Sequence, residues 1–73
     1  MIENRTFRYE SPQGYSFVIR NAPFVVHGKN TEKEEVALTP HASRLINHHI
    51  REYMKMFHHP HKNEINFENL LKK

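Results

Sequence analysis

Four basic side chains in the second half of the chain recur at spacings of four, three and four residues, which is the spacing of one face of an α-helix. They are Arg44, His48, Arg51 and Lys55, and Glu52 is the only acidic residue near them. Cations at this spacing suit successive phosphates, because each contact releases counterions and requires no base-specific geometry. The pattern predicts a surface that faces nucleic acid, and a merely solubilising surface would have the same composition.

The other side of this segment is apolar. Thr39 can cap the first turn through its hydroxyl, and Pro40 suits the first helical position, where its missing N–H costs nothing. The apolar stripe follows the i, i+3, i+4, i+7 rule and comprises Ala42, Leu45, Ile46, His49, Ile50, Tyr53, Met54 and Phe57. One amphipathic helix is therefore predicted from Thr39 to Phe57, and its apolar face must pack on another element.

That element is predicted to be a small sheet in the first half of the chain. Residues 4–10 and 15–20 alternate in polarity, and the turn at residues 11–14 joins them as a hairpin. Residues 24–27 form a further short strand or the far part of one long bent strand, and residues 36–38 form an edge strand. The predicted fold class is α+β, with a small antiparallel sheet of three to four short strands packed by one amphipathic helix. Residues 1–62 are predicted to be a single domain, and residues 63–73 a flexible C-terminal tail or a short docked helix.

Composition excludes several function classes. The chain has 73 residues, 37% of them hydrophobic, which provides one sheet–helix layer pair but no deep catalytic cleft. It has no cysteine and only two glycines, so a thiolate zinc site, a disulfide and a glycine-rich phosphate loop are absent. No residue is placed to orient His48 or His49 as a base for Ser43, and neither catalysis nor a cofactor is expected.

The sequence also predicts where the protein acts. No apolar run approaches the roughly 20 residues that span a bilayer. The N-terminal residues 1–5 lack the hydrophobic region of a signal peptide. The formal net charge is +3, and seven histidines would add positive charge below about pH 6.5. A cytosolic protein with no membrane association is expected.

Two further groups of side chains are candidate binding residues. Arg8 and Arg20, on neighbouring predicted strands, are expected to widen the nucleic-acid-facing surface. The rings of Tyr9, Tyr15 and Phe17 have the chemistry to stack on exposed bases. A chain this short needs large rings in its core, so we predict that these three are buried.

Histidines concentrate near the end of the predicted helix. The candidate metal ligands in this region are His48, Glu52, His58, His59 and His61. The H-E-x-x-H signature is absent, and histidines near a helix C-terminus also interact favourably with the helix dipole. No metal site is therefore predicted, although incidental binding of a metal stays open.

The order of elements resembles one known layout. Val18-Ile19-Arg20-Asn21-Ala22-Pro23, followed later by Leu38-Thr39-Pro40-His41-Ala42, resembles the small zinc domain of some antitoxin repressors. The two Cys-x-x-Cys pairs of that domain are absent here, so the resemblance implies a layout and no metal binding.

Over its whole length, in size and in its basic, cysteine-free composition, the chain resembles the small RNA-polymerase-binding regulators made by lytic bacteriophages. That resemblance implies a non-enzymatic protein of the host bacterial cytoplasm that binds the N-terminal region of the largest subunit of bacterial RNA polymerase. It further implies inhibition of host initiation and antitermination, with an elongation factor such as NusA and nascent RNA as additional partners. It assigns no residue roles, so the polymerase-binding residues are unknown at this point.

Two other function classes remain open from the sequence. The basic helix would suit an autonomous DNA-binding repressor or antitoxin-like protein, although such a reader helix usually has a scaffold helix or a dimer partner. A protein–protein inhibitor of a host enzyme would use its charges only for solubility.

Overall fold

A computed structural model describes residues 1–72. Its elements are, in chain order, β1 (Ile2–Glu10), β2 (Ser16–His27), β3 (Glu35–Leu38), α1 (Pro40–Met56), β4 (Lys62–Asn66) and α2 (Glu68–Leu71). The α+β prediction is confirmed, because one sheet is packed by one helix of 17 residues. Within residues 1–72 no helix is both long enough and apolar enough to cross a membrane.

The strand β2 is the centre of the sheet. Along one edge it pairs with β1 in the antiparallel sense. Its other edge is shared, because β3 pairs antiparallel with residues 24–27 and β4 pairs parallel with residues 16–20. The sheet is therefore mixed rather than purely antiparallel. A parallel neighbour requires a crossover, and α1 provides it by returning the chain to the end at which β2 begins.

A β-bulge bends β2 in its middle. Arg5 pairs with Ala22 and Phe7 pairs with Ile19, so Thr6 lies opposite two residues, Arg20 and Asn21. Asn21 has a φ of 61°, a left-handed conformation that asparagine tolerates better than most residues. The extra residue keeps the apolar side chains on both sides of the bulge directed at α1. Of the two alternatives for residues 24–27, the long bent strand is the correct one.

Pro23 lies inside β2 although proline cannot donate to a ladder. The carbonyl of Pro23 accepts from the Thr39 N–H at 3.2 Å, so this residue directs its backbone groups toward the β3 edge. The ladder with β3 extends only from Phe24 to His27, so the missing N–H leaves no partner unsatisfied.

The core lies between β2 and α1, and its largest fully buried side chains are Phe17, Ile19 and Ile46. The helix begins as predicted, with the Thr39 Oγ1 accepting from the Ala42 N–H at 3.3 Å. Most of the predicted apolar stripe packs inward, either buried or half-buried. Phe57 is the exception, because it follows the last helical residue and is 41% exposed.

The segment expected to be a flexible tail is part of the fold. The strand β4 crosses the predicted boundary between residues 62 and 63, and α2 is the short docked helix of the alternative prediction. Phe67 and Leu70 are 5% and 6% exposed and belong to the core. Burial of these two side chains outweighs the polar residues around them and holds the segment on the sheet. Lys73 lies outside the described residues.

Candidate nucleic-acid interface

The four predicted basic residues lie along the solvent side of α1. Arg44, His48, Arg51 and Lys55 are all exposed, and they face away from the buried Ala42, Ile46 and Ile50. With a rise of 1.5 Å per residue, Arg44 and Lys55 are roughly 16 Å apart along the helix axis. We call this surface the cationic face of α1. The structure brings these four residues together, and their binding role stays a prediction.

Most of the cationic face has no acidic partner. Within residues 1–72, no carboxylate lies within salt-bridge distance of Arg44 or Arg51. The Lys55 Nζ lies 3.4 Å from the Glu52 Oε2, and both side chains are largely exposed. Such a pair is weak in water and is readily replaced by a stronger anion.

Four cations on the sheet and its loops differ, because they are already paired, whereas Arg8 on β1 and Lys33 in the loop between β2 and β3 make no salt bridge within residues 1–72. The Arg5 guanidinium lies 2.8 Å from a Glu3 oxygen and 3.1 Å from a Glu34 oxygen, and Lys29 also binds Glu3. The hydrogen bond from Lys29, followed by that from Arg5, lowers the pKa of Glu3 below its ordinary value of 4.5.

A second paired group lies where β2 meets β4. The Glu64 carboxylate binds the Arg20 guanidinium at 2.8 Å and the Lys62 ammonium at 2.8 Å. The hydrogen bond from Lys62 is the largest cause of a lowered pKa of Glu64, and Arg20 adds to it. The single Glu64 carboxylate thus offsets part of the charge of two exposed cations.

Arg8 is separated from the cationic face of α1. Its neighbours Phe7 and Tyr9 face the helix, so strand alternation places Arg8 on the opposite face of the sheet, beside Val18. The structure therefore does not join Arg8 to the other four predicted residues. The orientation of Arg8 could have been predicted from the sequence, because the apolar residues on both sides of it indicate that its own side chain faces outward.

A groove between β1 and α1 adjoins the cationic face, and sequence analysis did not identify it. It has a volume of about 280 Å³ and is lined by Phe7, Tyr9, Asn47, Ile50, Arg51 and Met54. Arg51 belongs both to this groove and to the cationic face. Tyr15 and Phe17 are buried as predicted, but Tyr9 is 38% exposed because α1 does not fully cover β1.

Aromatic and histidine side chains form a cluster at the C-terminal end of α1. The Tyr53 ring centroid lies 4.5 Å from that of Phe57 and 5.2 Å from that of His61. The Tyr53 hydroxyl bonds to the His61 Nε2, and the His61 Nδ1 lies 2.7 Å from the His59 carbonyl oxygen. This arrangement gives His61 a structural role in closing the α1–β4 connection.

The candidate metal ligands do not converge. Among residues 1–72, no three histidine, aspartate or glutamate side chains are close enough to hold a metal ion together. All five candidates, His48, Glu52, His58, His59 and His61, are exposed. His49 instead bonds through its Nε2 to the Asn63 Oδ1 at 3.0 Å, a contact that sequence analysis missed because Asn63 was not placed on a strand.

The outer edge of β1 presents unpaired backbone groups. The Met1 carbonyl accepts from the Val26 N–H at 2.8 Å, and the Ser11 N–H donates to the Tyr15 carbonyl at 2.9 Å. Bonded residues alternate along an antiparallel strand, so the odd-numbered residues of β1 bond to β2. The N–H and C=O groups of the even-numbered residues, from Ile2 to Glu10, therefore point outward. No strand within residues 1–72 pairs with this edge.

Comparisons of the chain with protein-family models, with curated proteins and with solved structures find no match. Function is therefore inferred from the side chains and backbone groups described above.

Proposed function

We propose that the protein is a non-enzymatic bacteriophage transcription regulator of the host bacterial cytoplasm that binds host RNA polymerase, inhibits host initiation and promotes antitermination. The observation that carries this proposal is the cationic face of α1, where Arg44 and Arg51 have no acidic partner among the described residues. The whole-chain resemblance to phage polymerase-binding regulators supplies the polymerase as partner.

The cationic face is proposed to lie along nascent RNA. Its length of roughly 16 Å spans several nucleotides of an extended strand. Phosphate contacts at successive helical turns keep the RNA extended as it leaves the polymerase. Extended RNA cannot pair with itself, so a terminator hairpin forms less readily and transcription continues.

The polymerase contact is proposed to use the outer edge of β1. An extended segment of the N-terminal region of the largest subunit would add to this edge as a further strand. The support is the length of the edge, nine residues, and the outward N–H and C=O groups of its even-numbered residues. NusA would join the same complex as an elongation factor rather than as a separate target.

The structure favours neither alternative function. A DNA-reading helix usually rests on a scaffold helix or a dimer partner. Within residues 1–72, α1 rests on a sheet, and the other helix, α2, has only four residues. A plain inhibitor of a host enzyme would leave the unpaired cations of α1 without a role.

The test uses pull-down of RNA polymerase and readthrough of an intrinsic terminator with two kinds of variant. The triple variant Arg44→Gln/Arg51→Gln/Lys55→Gln should fold, because all three residues are exposed. It should still retain polymerase but lose readthrough. Thr6→Pro removes an outward N–H without breaking the ladder to β2, and it should lose polymerase retention. Thr6→Val keeps the N–H and is the matched control.

Three results would contradict the proposal. Full readthrough by the triple variant would mean that the cations only solubilise the protein. Loss of polymerase retention by the triple variant would place α1 at the protein interface and reverse the two surfaces. Recovery of nucleic acid alone, or of an unrelated host enzyme, in a pull-down with the wild-type protein would favour one of the two alternative functions.

A further inference from the structure

The groove between β1 and α1 has the chemistry of a nucleobase site. We infer that it holds the base of an unpaired nucleotide, so that the protein binds single-stranded RNA in preference to duplex RNA. This inference rests on the proposed function, because it names the form of RNA that follows the cationic face of α1. The groove has two properties that suit this role: a supported aromatic ring and nearby polar groups.

Tyr9 supplies the aromatic surface. Tyr9 is 38% exposed, and its ring neighbours that of Phe17, with centroids 6.3 Å apart and an angle of 28° between the rings. Phe17 is fully buried, so Tyr9 rests on a fixed support. A half-exposed ring with a rigid backing is the kind of platform on which single-stranded bases stack.

Phe7, Ile50 and Met54 complete the apolar part of the groove. Phe7 adds a second ring beside Tyr9 on β1, whereas Ile50 and Met54 form the opposite wall on α1. A flat base placed between the two walls would contact a ring on one side and aliphatic or thioether groups on the other. Burial of both faces of the base removes apolar area from water, which favours binding of every base without selecting one.

Polar groups lie on the helix side of the groove. The Asn47 amide has both donor and acceptor atoms, and within residues 1–72 its only side-chain hydrogen bond is a long one, of 3.5 Å, from Nδ2 to the Ser43 Oγ. It is therefore available to a base edge. Arg51 lines the same groove without an acidic partner among the described residues, so the phosphate of the bound nucleotide would lie against it.

Charge around the groove favours an anion. None of the lining residues is acidic. Glu52 lies on the far side of the cationic face, where it contacts Lys55. Arg44 and Lys55 lie within two turns of Arg51, so the neighbouring phosphates of the same strand would meet them in turn.

Stacking of a base on Tyr9 would give the preference for a single strand. Bases in a duplex are stacked and paired, and a base enters such a site only after it is turned out of the helix. A single strand presents its bases without that cost. The cationic face alone would bind both forms, so the preference would depend on Tyr9.

The chain has no tryptophan, so one substitution introduces a unique fluorophore. Tyr9→Trp places it in the groove. Val36→Trp is the matched control, because Val36 is also 38% exposed but lies on β3, across β2 from β1. A ten-nucleotide single-stranded RNA of mixed sequence should quench Tyr9→Trp and leave Val36→Trp unchanged. The same RNA annealed to its complement should quench neither.

A second measurement separates stacking from simple charge attraction. Fluorescence anisotropy of the same labelled RNA should show nearly wild-type affinity for Tyr9→Phe and at least about fivefold weaker binding for Tyr9→Thr. All of these residues suit a strand, and circular dichroism checks that each variant is folded. The duplex should bind both variants equally.

Several outcomes would overturn the inference. They are an unquenched Tyr9→Trp protein that binds the single strand, equal affinities of Tyr9→Phe and Tyr9→Thr, and absence of binding to the single strand. Recovery of polymerase together with any of these outcomes would overturn this inference and leave polymerase binding in place. Quenching of Tyr9→Trp by the single strand without recovery of polymerase would support this inference and contradict polymerase binding.

Discussion

Two groups of cations in this protein differ in whether they have carboxylate partners. On the sheet and its loops, Arg5, Arg20, Lys29 and Lys62 each bind a carboxylate of the same chain. On α1, the arginines have no such partner among the described residues. A phosphate approaching these four sheet and loop cations competes with a carboxylate, whereas one approaching Arg44 or Arg51 replaces only water.

This difference shows why a count of basic residues is a poor guide to a binding surface. The net charge of +3 is small, and it does not say where the free positive charge lies. Salt bridges within the chain determine where unpaired positive charge lies. The helical spacing of Arg44, Arg51 and Lys55 keeps them on the solvent side. Residues two apart on a strand share a face, which places Arg5 beside Glu3 and Lys62 beside Glu64.

The largest expected effect comes from removing the support of the cationic face. Ile46 is fully buried beneath α1, and Ile46→Asp should destabilise the protein by at least about 3 kcal/mol, because it buries an unpaired charge. A domain of this size has a stability of roughly 4 to 11 kcal/mol, so the loss is a large part of the total and a clearly lower melting temperature is expected. Thermal unfolding followed by circular dichroism measures the change.

Arg44→Asp is the control for that experiment. It introduces the same side chain on the exposed side of the same helix, where a change of about 0.5 kcal/mol or less is expected. Equal destabilisation by the two variants would show that α1 does not pack as described.

A smaller effect is expected from removing equal charge from the two surfaces. The helix variant is the triple glutamine substitution described above. The sheet variant, with three exposed cations replaced, is Arg20→Gln/Lys29→Gln/Lys62→Gln. Binding of single-stranded RNA by the wild type should weaken with salt with a log–log slope of about −2 to −3, as roughly three phosphate contacts require. The helix variant should lose most of that slope, and the sheet variant should keep it.

If the two triple variants lose RNA affinity equally, net charge rather than pairing determines binding, and the distinction between the two surfaces fails.

The smallest expected effect concerns the sheet pairs themselves. The pKa values of Glu3 and Glu64 are lowered by their cationic partners, so both carboxylates stabilise the folded state above their unfolded pKa. That stabilisation is lost as the pH falls below about 4.5 and through the folded values. Glu3→Gln/Glu64→Gln should therefore reduce the fall in melting temperature between pH 5 and pH 3.

Glu10→Gln/Glu32→Gln removes two glutamates that make no salt bridge within residues 1–72, and it should retain the wild-type acid sensitivity. An identical acid response of the two double variants would remove the sheet pairs as a source of pH-dependent stability.

The parts of the fold that depend on local signals could be predicted from the sequence. The helix was predicted to within one residue at its start because Thr39, Pro40 and the apolar period act within a few residues of one another. The strand β4 could not be predicted in this way. It has one apolar residue, Ile65, in five, and it forms because the edge of β2 and the burial of Phe67 hold it there.

The candidate site likewise has one part that local sequence signals predict and another part that depends on packing. The exposure of Arg44, His48, Arg51 and Lys55 follows from helical period alone, so sequence was sufficient. The groove depends on how far α1 extends over β1, which is a property of the packed pair. The alternation of polarity in residues 4–10 correctly predicts that Tyr9 lies on the helix side of the sheet. Its partial exposure depends on how α1 packs over β1.

The parallel pairing of β2 with β4 has a consequence for the order in which the chain folds. Val18 pairs with Glu64 and Ile19 with Ile65, so a long stretch of chain must be synthesised between the two partners. Contacts so distant in sequence form late and slow the overall folding rate. During translation the β1–β2 hairpin and α1 emerge before β4, and the edge of β2 at residues 16–20 stays open until the last strand arrives. Synthesis that stops before Lys62 would leave that edge permanently open, and the shortened product would be prone to aggregate.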